Sequence, residues 1–252
     1  MQLFLGVYDT FSAMVVAKRH RHLFLSGLSY SASHGLPDIG FLTWEHVLTQ
    51  SAEIMRACPD CRLLVDLDDG FGGPEIVSHV VSELERLGVY GVVLEDQKRP
   101  KRCGHLSGKQ VVPLTSYLEV LEQVLAVRQN LFVVARTDAT DEAEIAKRVQ
   151  AFGQLDVDAI LVDGISMARY QQYKAMVKNK PFVYNYIVGG RSEAIKDDCD
   201  IVFMSTACLS VAAQAIEQMV ETVEAGKHDE IGGYSLPMII SLTEQHFHKK
   251  TV

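Results

Sequence analysis

The stretch 95-EDQKRPKRCGH-105 concentrates reactive groups in eleven positions. Cys103 follows Lys101 and Arg102 and precedes His105, with Lys98, Arg99 and Lys109 nearby. Cationic neighbours favour thiolate over thiol, so Cys103 is expected to titrate below a free cysteine. Such a group can act as a nucleophile, a redox sensor or a proton donor and acceptor. The bland alternative is an incidental surface thiol. Pro100, Gly104 and Gly108 allow turns and hinged movement, which suits a lid.

Polar residues, most of them acids, recur where the short apolar runs end. Glu95 and Asp96 close 91-GVVL-94, Asp66 and Asp68 close 62-RLLVDLD-68, and Asp163 closes 159-AILVDG-164. Arg136 and Asp138 end 132-FVVARTD-138, Ser26 and Gly27 end 22-HLFLSG-27, and Asn185 lies near the end of 182-FVYNYI-187. Acids gathered at one mouth repel one another unless a cation offsets them, and an oxygen-rich set suits Mg2+ or Mn2+. Asp66 and Asp68 are two apart and would share a face of a strand. Their alternative is solvated turn acids before the Gly-rich 70-GFGG-73. Arg136 reads either as an ion-pair partner of these acids or as a bidentate clamp on a substrate carboxylate. Asn185 reads as a site residue or a capped strand end.

Elements must bring these groups together. Eight apolar runs, 2–9, 22–27, 62–68, 91–96, 132–138, 159–164, 182–187 and 201–206, lack apolar–polar alternation and read as buried strands. Helical patterns lie between them: 75–88 with a Gly stop, 115–130 with a Thr/Ser start, and 141–155 with Asp141 as N-cap. Eight strand–helix units in 252 residues predict one α/β domain over 1–252, a (β/α)8 TIM barrel. Its functional groups belong at the carboxyl ends of the strands. A doubly wound open sheet is the alternative, although no GxGxxG follows the first strand. The apolar tail from about residue 234 predicts a terminal helix packed on the barrel or on a neighbouring subunit. A net charge of −8 argues against nucleic-acid partners. No uncharged apolar run approaches the roughly 20 residues that span a bilayer, and the first residues lack a signal-peptide layout, so no membrane partner is expected. Five cysteines, an odd number, suggest a reduced, cytoplasmic setting. The pair in 58-CPDC-61 resembles a metal or redox half-site that no second CxxC completes, and it reads as structural or incidental.

The chain resembles the isocitrate lyase / phosphoenolpyruvate mutase superfamily. The matching pieces are 6-GVYDTFSA-13, 26-SG-27, 35-GLPDIGFLT-43, 65-VDLDDGFGG-73, 94-LEDQKRPKRCGH-105, the GK at 108–109, 135-ARTDA-139 and Asn185. The resemblance implies a TIM-like barrel, a homotetramer or dimer, and a C-terminal helix exchanged between subunits. It implies that Asp66 binds Mg2+ directly, Mn2+ being a possible substitute, while Asp38, Asp68 and Glu95 hold its waters. Ser26 and Gly27 would receive the carboxylate or oxo group of an α-keto-acid half, which Arg136 also contacts. Tyr8, Gly104, Asp163 and Asn185 would complete substrate binding, with Cys103, His105 and Arg136 catalytic. Cys103 sits in the KKCGH-type loop, here KRCGH, that mutase and phosphonopyruvate hydrolase members generally lack. It therefore favours a carbon–carbon lyase such as 2-methylisocitrate lyase, acting on a small carboxylate. The alternatives are an oxaloacetate decarboxylase, a phosphonopyruvate hydrolase or mutase-type enzyme, or a binding protein on a retained barrel. Asp163 replaces the usual Glu, and 185-NYIVGGR-191 replaces a commoner N-M-T-E-F-G. Both fall where the non-keto half of the substrate would lie, so the substrate stays open.

Overall fold

The computed structural model describes residues 1–102, 108–177, 179–187, 195 and 198–248, of which 245–248 by backbone alone. Its strands follow the eight apolar runs: β1 (Gln2–Val7), β2 (His22–Leu25), β3 (Arg62–Asp66), β4 (Gly91–Glu95), β5 (Phe132–Thr137), β6 (Ala159–Val162), β7 (Phe182–Asn185) and β8 (Ile201–Met204). Each pairs in parallel with the next. β8 returns to β1 with Val202 opposite Leu3, so the sheet closes into a barrel. The expected TIM barrel is observed, and the open sheet is not.

The helices are α1 (Thr10–Ala17), α2 (Gly27–Ser33), α3 (Trp44–Ala57), α4 (Pro74–Arg86), α5 (Leu114–Val127), α6 (Glu142–Gln154), α7 (Met167–Lys174), α8 (Ala207–Glu224) and α9 (Leu236–His248). α6 starts as its sequence predicts: the Asp141 carboxylate accepts the Glu144 amide at 2.9 Å. α4 ends near Gly88, whose φ of +80° is the conformation that glycine adopts at least cost. α5 differs from the expected Thr115 start. It begins at Leu114 after Pro113, with no side-chain cap, because the fixed φ of proline presets the entry to a helix.

Two apolar layers form. Phe4, Phe24, Leu64, Val93, Val134, Leu161, Val183 and Phe203 belong to one cluster inside the barrel. The larger cluster, including Val65, Val92, Val133 and Ile160, lies between strands and helices. Side chains on a strand alternate faces, so each strand feeds both layers, which explains the unbroken apolar runs. No helix among the described residues is long and apolar enough to cross a membrane.

The last two helices are unlike the rest. α8 buries none of its residues, and Val211 and Ile216 are 61% and 59% exposed. In α9 Leu242 is buried, but Leu236 is 69% exposed, with Met238 and Ile240 also exposed.

Gly6 shows how tightly β1 and β8 join. A Cβ there would stand 2.0 Å from the Ser205 carbonyl oxygen, a backbone atom that cannot turn aside. Gly6→Ala is expected to destabilise the barrel by about 3 kcal/mol, at the upper end of typical overpacking costs, measured by urea unfolding. A loss under about 0.5 kcal/mol, the usual range for an inert surface change, refutes this reading.

Candidate active site at the carboxyl ends of the strands

The barrel pleat converts the interior layer into a polar mouth. Two residues beyond the interior Phe24, Leu64, Val93, Val134, Leu161, Val183 and Phe203 stand Ser26, Asp66, Glu95, Arg136, Asp163, Asn185 and Ser205. A period of two keeps each pair on one face. Ser26, Asp66, Arg136, Asp163, Asn185 and Ser205, with Asp38 and Leu28, line a cavity of about 30 Å3 whose floor includes Phe24, Leu161 and Phe203.

Arg136 is the hub. Its guanidinium lies 3.1 Å from Glu95 Oε2, 3.2 Å from Asp163 Oδ2 and 3.8 Å from Asp66 Oδ2. Its Nε approaches Asp138 Oδ2 at 2.8 Å, an ion pair without hydrogen-bond alignment. Burial alone would lower its pKa, but Asp138, Glu95, Asp163 and Asp66 outweigh that and raise it. Of the two sequence readings of Arg136, the ion-pair partner is what the structure contains. Asp163 also accepts from Asn185 Nδ2 at 2.8 Å, and Asn185 Oδ1 accepts from the Ser205 hydroxyl at 2.8 Å. Ser205 was not among the sequence candidates. The signal was present: it stands two residues beyond Phe203, as Asn185 does beyond Val183.

Lys101 is the second missed residue. On sequence it reads as a neighbour that activates Cys103. In the structure its side chain is buried, with Nζ 2.9 Å from Asp38 Oδ1, 3.8 Å from Glu95 Oε1 and in direct contact with Asp68 Oδ1. Burial works against its charge, yet Glu95, Asp68, Asp66 and Asp38 together raise its pKa well above that of an ordinary lysine. The acids feel the converse. Burial pushes Asp68 up to about 6, with Asp66 and Asp38 adding to the rise and Lys101 opposing it. Burial likewise raises Glu95 well above an ordinary glutamate, against the pull of Lys101 and Arg136.

Asp66 and Asp68 do meet, but not because both lie on a strand. β3 ends at Asp66, and Asp68 has left-handed backbone with φ +50°. The turn is tied by the Asp68 amide donating to Asp66 Oδ1 at 3.2 Å and the Glu95 amide donating to the Asp68 carbonyl at 2.8 Å. Gly27 closes on the pair. Its amide donates to Asp66 Oδ2 at 3.3 Å, and a Cβ on it would meet Asp66 Oδ2 and Asp68 Oδ1 at 3.1 Å each. Ser26 is the N-cap of α2 and accepts from the Ser29 amide at 3.4 Å.

Asp96 points the other way. One residue past Glu95, it faces α6, where Arg148 Nη1 donates to it at 2.7 Å and the Asp138 amide at 2.9 Å. Arg148 also donates to the Val112 carbonyl at 2.6 Å. It thereby ties β4 to the far side of the 97–112 segment. Tyr8, expected to contribute to substrate binding, lies just after β1. It lines an apolar pocket of about 380 Å3 between α1 and α8, with Phe11, Val15, Cys208 and Val211.

Cys103, Gly104 and His105 lie outside the described residues, and so does 188–191 of the 185-NYIVGGR-191 departure. The flanks of the thiol segment are held. The Gln97 side chain donates to the Arg102 carbonyl at 2.8 Å and accepts its amide at 2.9 Å. Arg99 bridges Asp69 and the Gly40 carbonyl. Beyond the segment, Lys109 pairs with Asp138 at 2.9 Å.

The donor set fits a hard cation. Asp38, Asp66, Asp68 and Glu95 offer oxygens alone. Both Glu95 oxygens are buried without a hydrogen-bond partner, and the four acids already surround one ammonium. Among the described residues no three ligands converge on a single point as a formed metal cage; the Lys101 ammonium lies between them.

A family profile described as phosphoenolpyruvate phosphomutase matches residues 1–225. The chain is 31% identical over 225 residues to 2-methylisocitrate lyase of Bacillus subtilis (strain 168), covering 85% of this chain and 74% of that one. The structure of 2,3-dimethylmalate lyase, a PEP mutase/isocitrate lyase superfamily member, superposes with a TM-score of 0.90 at 25% identity over 99% of this chain and 88% of that one. Oxaloacetate acetylhydrolase bound to 3,3-difluorooxalacetate superposes with a TM-score of 0.89 at 28% identity, covering 99% and 89%. Phosphonopyruvate hydrolase bound to oxalate and Mg2+ shares the fold with a TM-score of 0.82 at 21% identity, covering 99% and 92%.

Removing Arg148 leaves the Asp96 carboxylate buried beside the site without its cation. Arg148→Met is expected to cost about 3–5 kcal/mol, the range for breaking a buried pair, read as a shifted urea midpoint. The double variant with Asp96→Asn should recover part of that loss; a double variant no more stable than Arg148→Met refutes the pairing.

Proposed function

The chain belongs to the phosphoenolpyruvate mutase / isocitrate lyase superfamily, and on that premise we propose that it is a carbon–carbon lyase. It would cleave a 2-hydroxy di- or tricarboxylate to an α-keto acid and a second carboxylate. The observation that carries this reading is the mouth itself. Buried acids cluster around one loop lysine and one strand arginine, on the strand end from which the cysteine-bearing segment departs. Relatives named as lyases of 2-methylisocitrate and 2,3-dimethylmalate support the reaction class.

Asp66, with Asp38, Asp68 and Glu95, would hold Mg2+, or Mn2+ in its place. When bound, the metal supplies Lewis acidity that favours the ionised hydroxyl of a chelating 2-hydroxy acid. The rest falls to the chain. The Ser26 hydroxyl and the Gly27 amide at the start of α2 bind the carboxylate of the keto half. Arg136 draws negative charge toward the bore. Asp163 and Asn185 contact the other half, and the departure of Asp163 and of the sequence after Asn185 from the commoner family residues sets the substrate. The hydroxyl proton passes to water, the oxygen's electrons form the carbonyl of the α-keto acid as the carbon–carbon bond breaks, and that bond's electron pair stays with the second half. The second half leaves as a carbanion delocalised into its own carboxylate. Cys103 gives that carbon a proton. A carbanion caught before water reaches it gives one product, so a thiol donor delivered to the mouth suits this chemistry.

The exposed apolar faces of α8 and α9 support a homo-oligomer. Scattered apolar residues are normal on a monomer, but a contiguous apolar patch marks an interface. Light scattering is expected to give a multiple of the 28.0 kDa chain mass, and Ile216→Glu to lower it. A monomeric parent protein would refute the assembly.

Incubation with 2-hydroxy di- and tricarboxylates and Mg2+ is expected to release an α-keto acid, quantified as its phenylhydrazone. Chelation should stop the release and added Mg2+ restore it. Cys103→Ser should lower turnover by at least about 100-fold, the lower range for a general acid, with an unchanged melting temperature. Undiminished turnover in that variant sinks the proposed role of the thiol. Turnover of oxaloacetate or phosphonopyruvate alone would transfer the assignment to a decarboxylase or hydrolase.

A further inference from the structure

At the opposite end of the barrel from the mouth lies the pair in 58-CPDC-61. Helix α3 ends at Ala57 and β3 begins at Arg62, so the four residues form the whole connection. The Cys61 amide donates to the Cys58 carbonyl at 3.0 Å. This i to i+3 bond closes a β-turn, with Pro59 in the position proline favours. A β-turn brings its first and fourth Cα atoms within about 7 Å, and a disulfide spans Cα separations of about 4.4–6.8 Å. The turn thus holds the two Cα atoms within the range that overlaps a bridge.

The side chains agree with the backbone. Both thiols are reduced and buried in the outer apolar layer. The neighbouring Cys58 side chain, foremost, and Arg21 just before β2 hold the Cys61 thiol down to about 7, with burial and Asp60 opposing. Pro59 and Asp60 are exposed, so the turn itself reaches solvent. No third thiol, imidazole or carboxylate joins the pair as a metal cluster among the described residues. Two adjacent thiols without further ligands suit two-electron oxidation better than a structural metal.

We propose that Cys58 and Cys61 form a redox-active dithiol site that low-molecular-weight disulfides of the glutathione class oxidise to an intramolecular disulfide. Cys61 thiolate attacks one sulfur of the small disulfide, forming a mixed disulfide and releasing one thiolate. Cys58 then loses its proton, and its sulfur attacks the Cys61 sulfur and displaces the second thiolate. Two protein thiols lose two electrons, and one small disulfide becomes two thiols. The bridge staples the end of α3 to the start of β3. Because the mouth lies at the other end of the strands, turnover is expected to be the same in both redox states.

The test equilibrates the full-length protein with reduced and oxidised glutathione at several ratios, quenches with acid, alkylates, and maps each cysteine peptide by mass. As the buffer becomes oxidising, the peptide carrying residues 58–61 should lose both alkyl labels together and two hydrogens in mass. In Cys58→Ser, a glutathione adduct should accumulate on Cys61. Both labels persisting in a buffer that fully oxidises a reference dithiol protein would overturn the proposal. So would a stable glutathione adduct on Cys61 in the parent protein, or faster adduct formation on Cys58 in Cys61→Ser than on Cys61 in Cys58→Ser. The parent-protein measurement decides the outcome even where a serine variant fails to fold, and separate peptide masses keep Cys103, Cys199 and Cys208 out of the readout.

Discussion

The mouth of this barrel is held together by a few cations among many carboxylates, above all Lys101 and Arg136. These two pair with Asp38, Asp66, Asp68, Glu95, Asp138 and Asp163 at close range, and Lys109 adds a further partner for Asp138. Taking each ion out of water costs several kcal/mol, and only close opposite charge repays it. The balance is incomplete, and burial raises the pKa of Glu95 and Asp68. An incompletely neutralised acid cluster is a poor stability device and a good cation receptor, which is why the mouth reads as functional. The two cations differ in origin. Arg136 is on a strand and held by its neighbours, whereas Lys101 is on the loop that also carries the thiol.

The pleat sets who joins that cluster. Glu95 and Asp96 are consecutive acids at one strand end, yet they serve different ends. Glu95 follows the interior Val93 and enters the mouth, while Asp96 faces α6 and Arg148. The outward acid is not spare. Through Arg148 and the Val112 carbonyl it fastens the return of the loop, and through the Asp138 amide it supports the arm next to Arg136. Rigid strands thus supply the charges, and the connections after β3 and β4 bring the partners.

A TIM barrel alone does not specify a reaction, since one fold hosts many. What narrows the chemistry is the ordered set of mouth residues and the similarity to lyases acting on branched carboxylates. Asp163, Asn185 and Ser205 form a hydrogen-bonded row on one side of the bore. Asp163, the shorter acid that departs from the commoner family residue, is bound there to Arg136.

The strand count, barrel closure and most mouth residues were legible in the sequence, because buried parallel strands must be apolar throughout and can turn polar only where they end. The same period of two that places Asp66 and Asn185 would have found Ser205 beyond Phe203. Other features were not legible. Lys101 belongs to the acid cluster only because its long side chain reaches Asp38 across the mouth, beside the Arg99 bond to the Gly40 carbonyl and with Gln97 holding the Arg102 backbone behind it. Arg148 reads on sequence as one half of a helical pair with Glu144, and only the docking of α6 on β4 delivers it to Asp96. Tyr8 lies two residues beyond Gly6, and only the structure shows that it lines the pocket between α1 and α8. Sequence alone determined which residues could be buried and which face each strand residue takes, since alternation is a local property of the chain. Tertiary structure alone decided which charges neutralise one another, since ion pairs form between segments that only the closed barrel brings within a few ångströms.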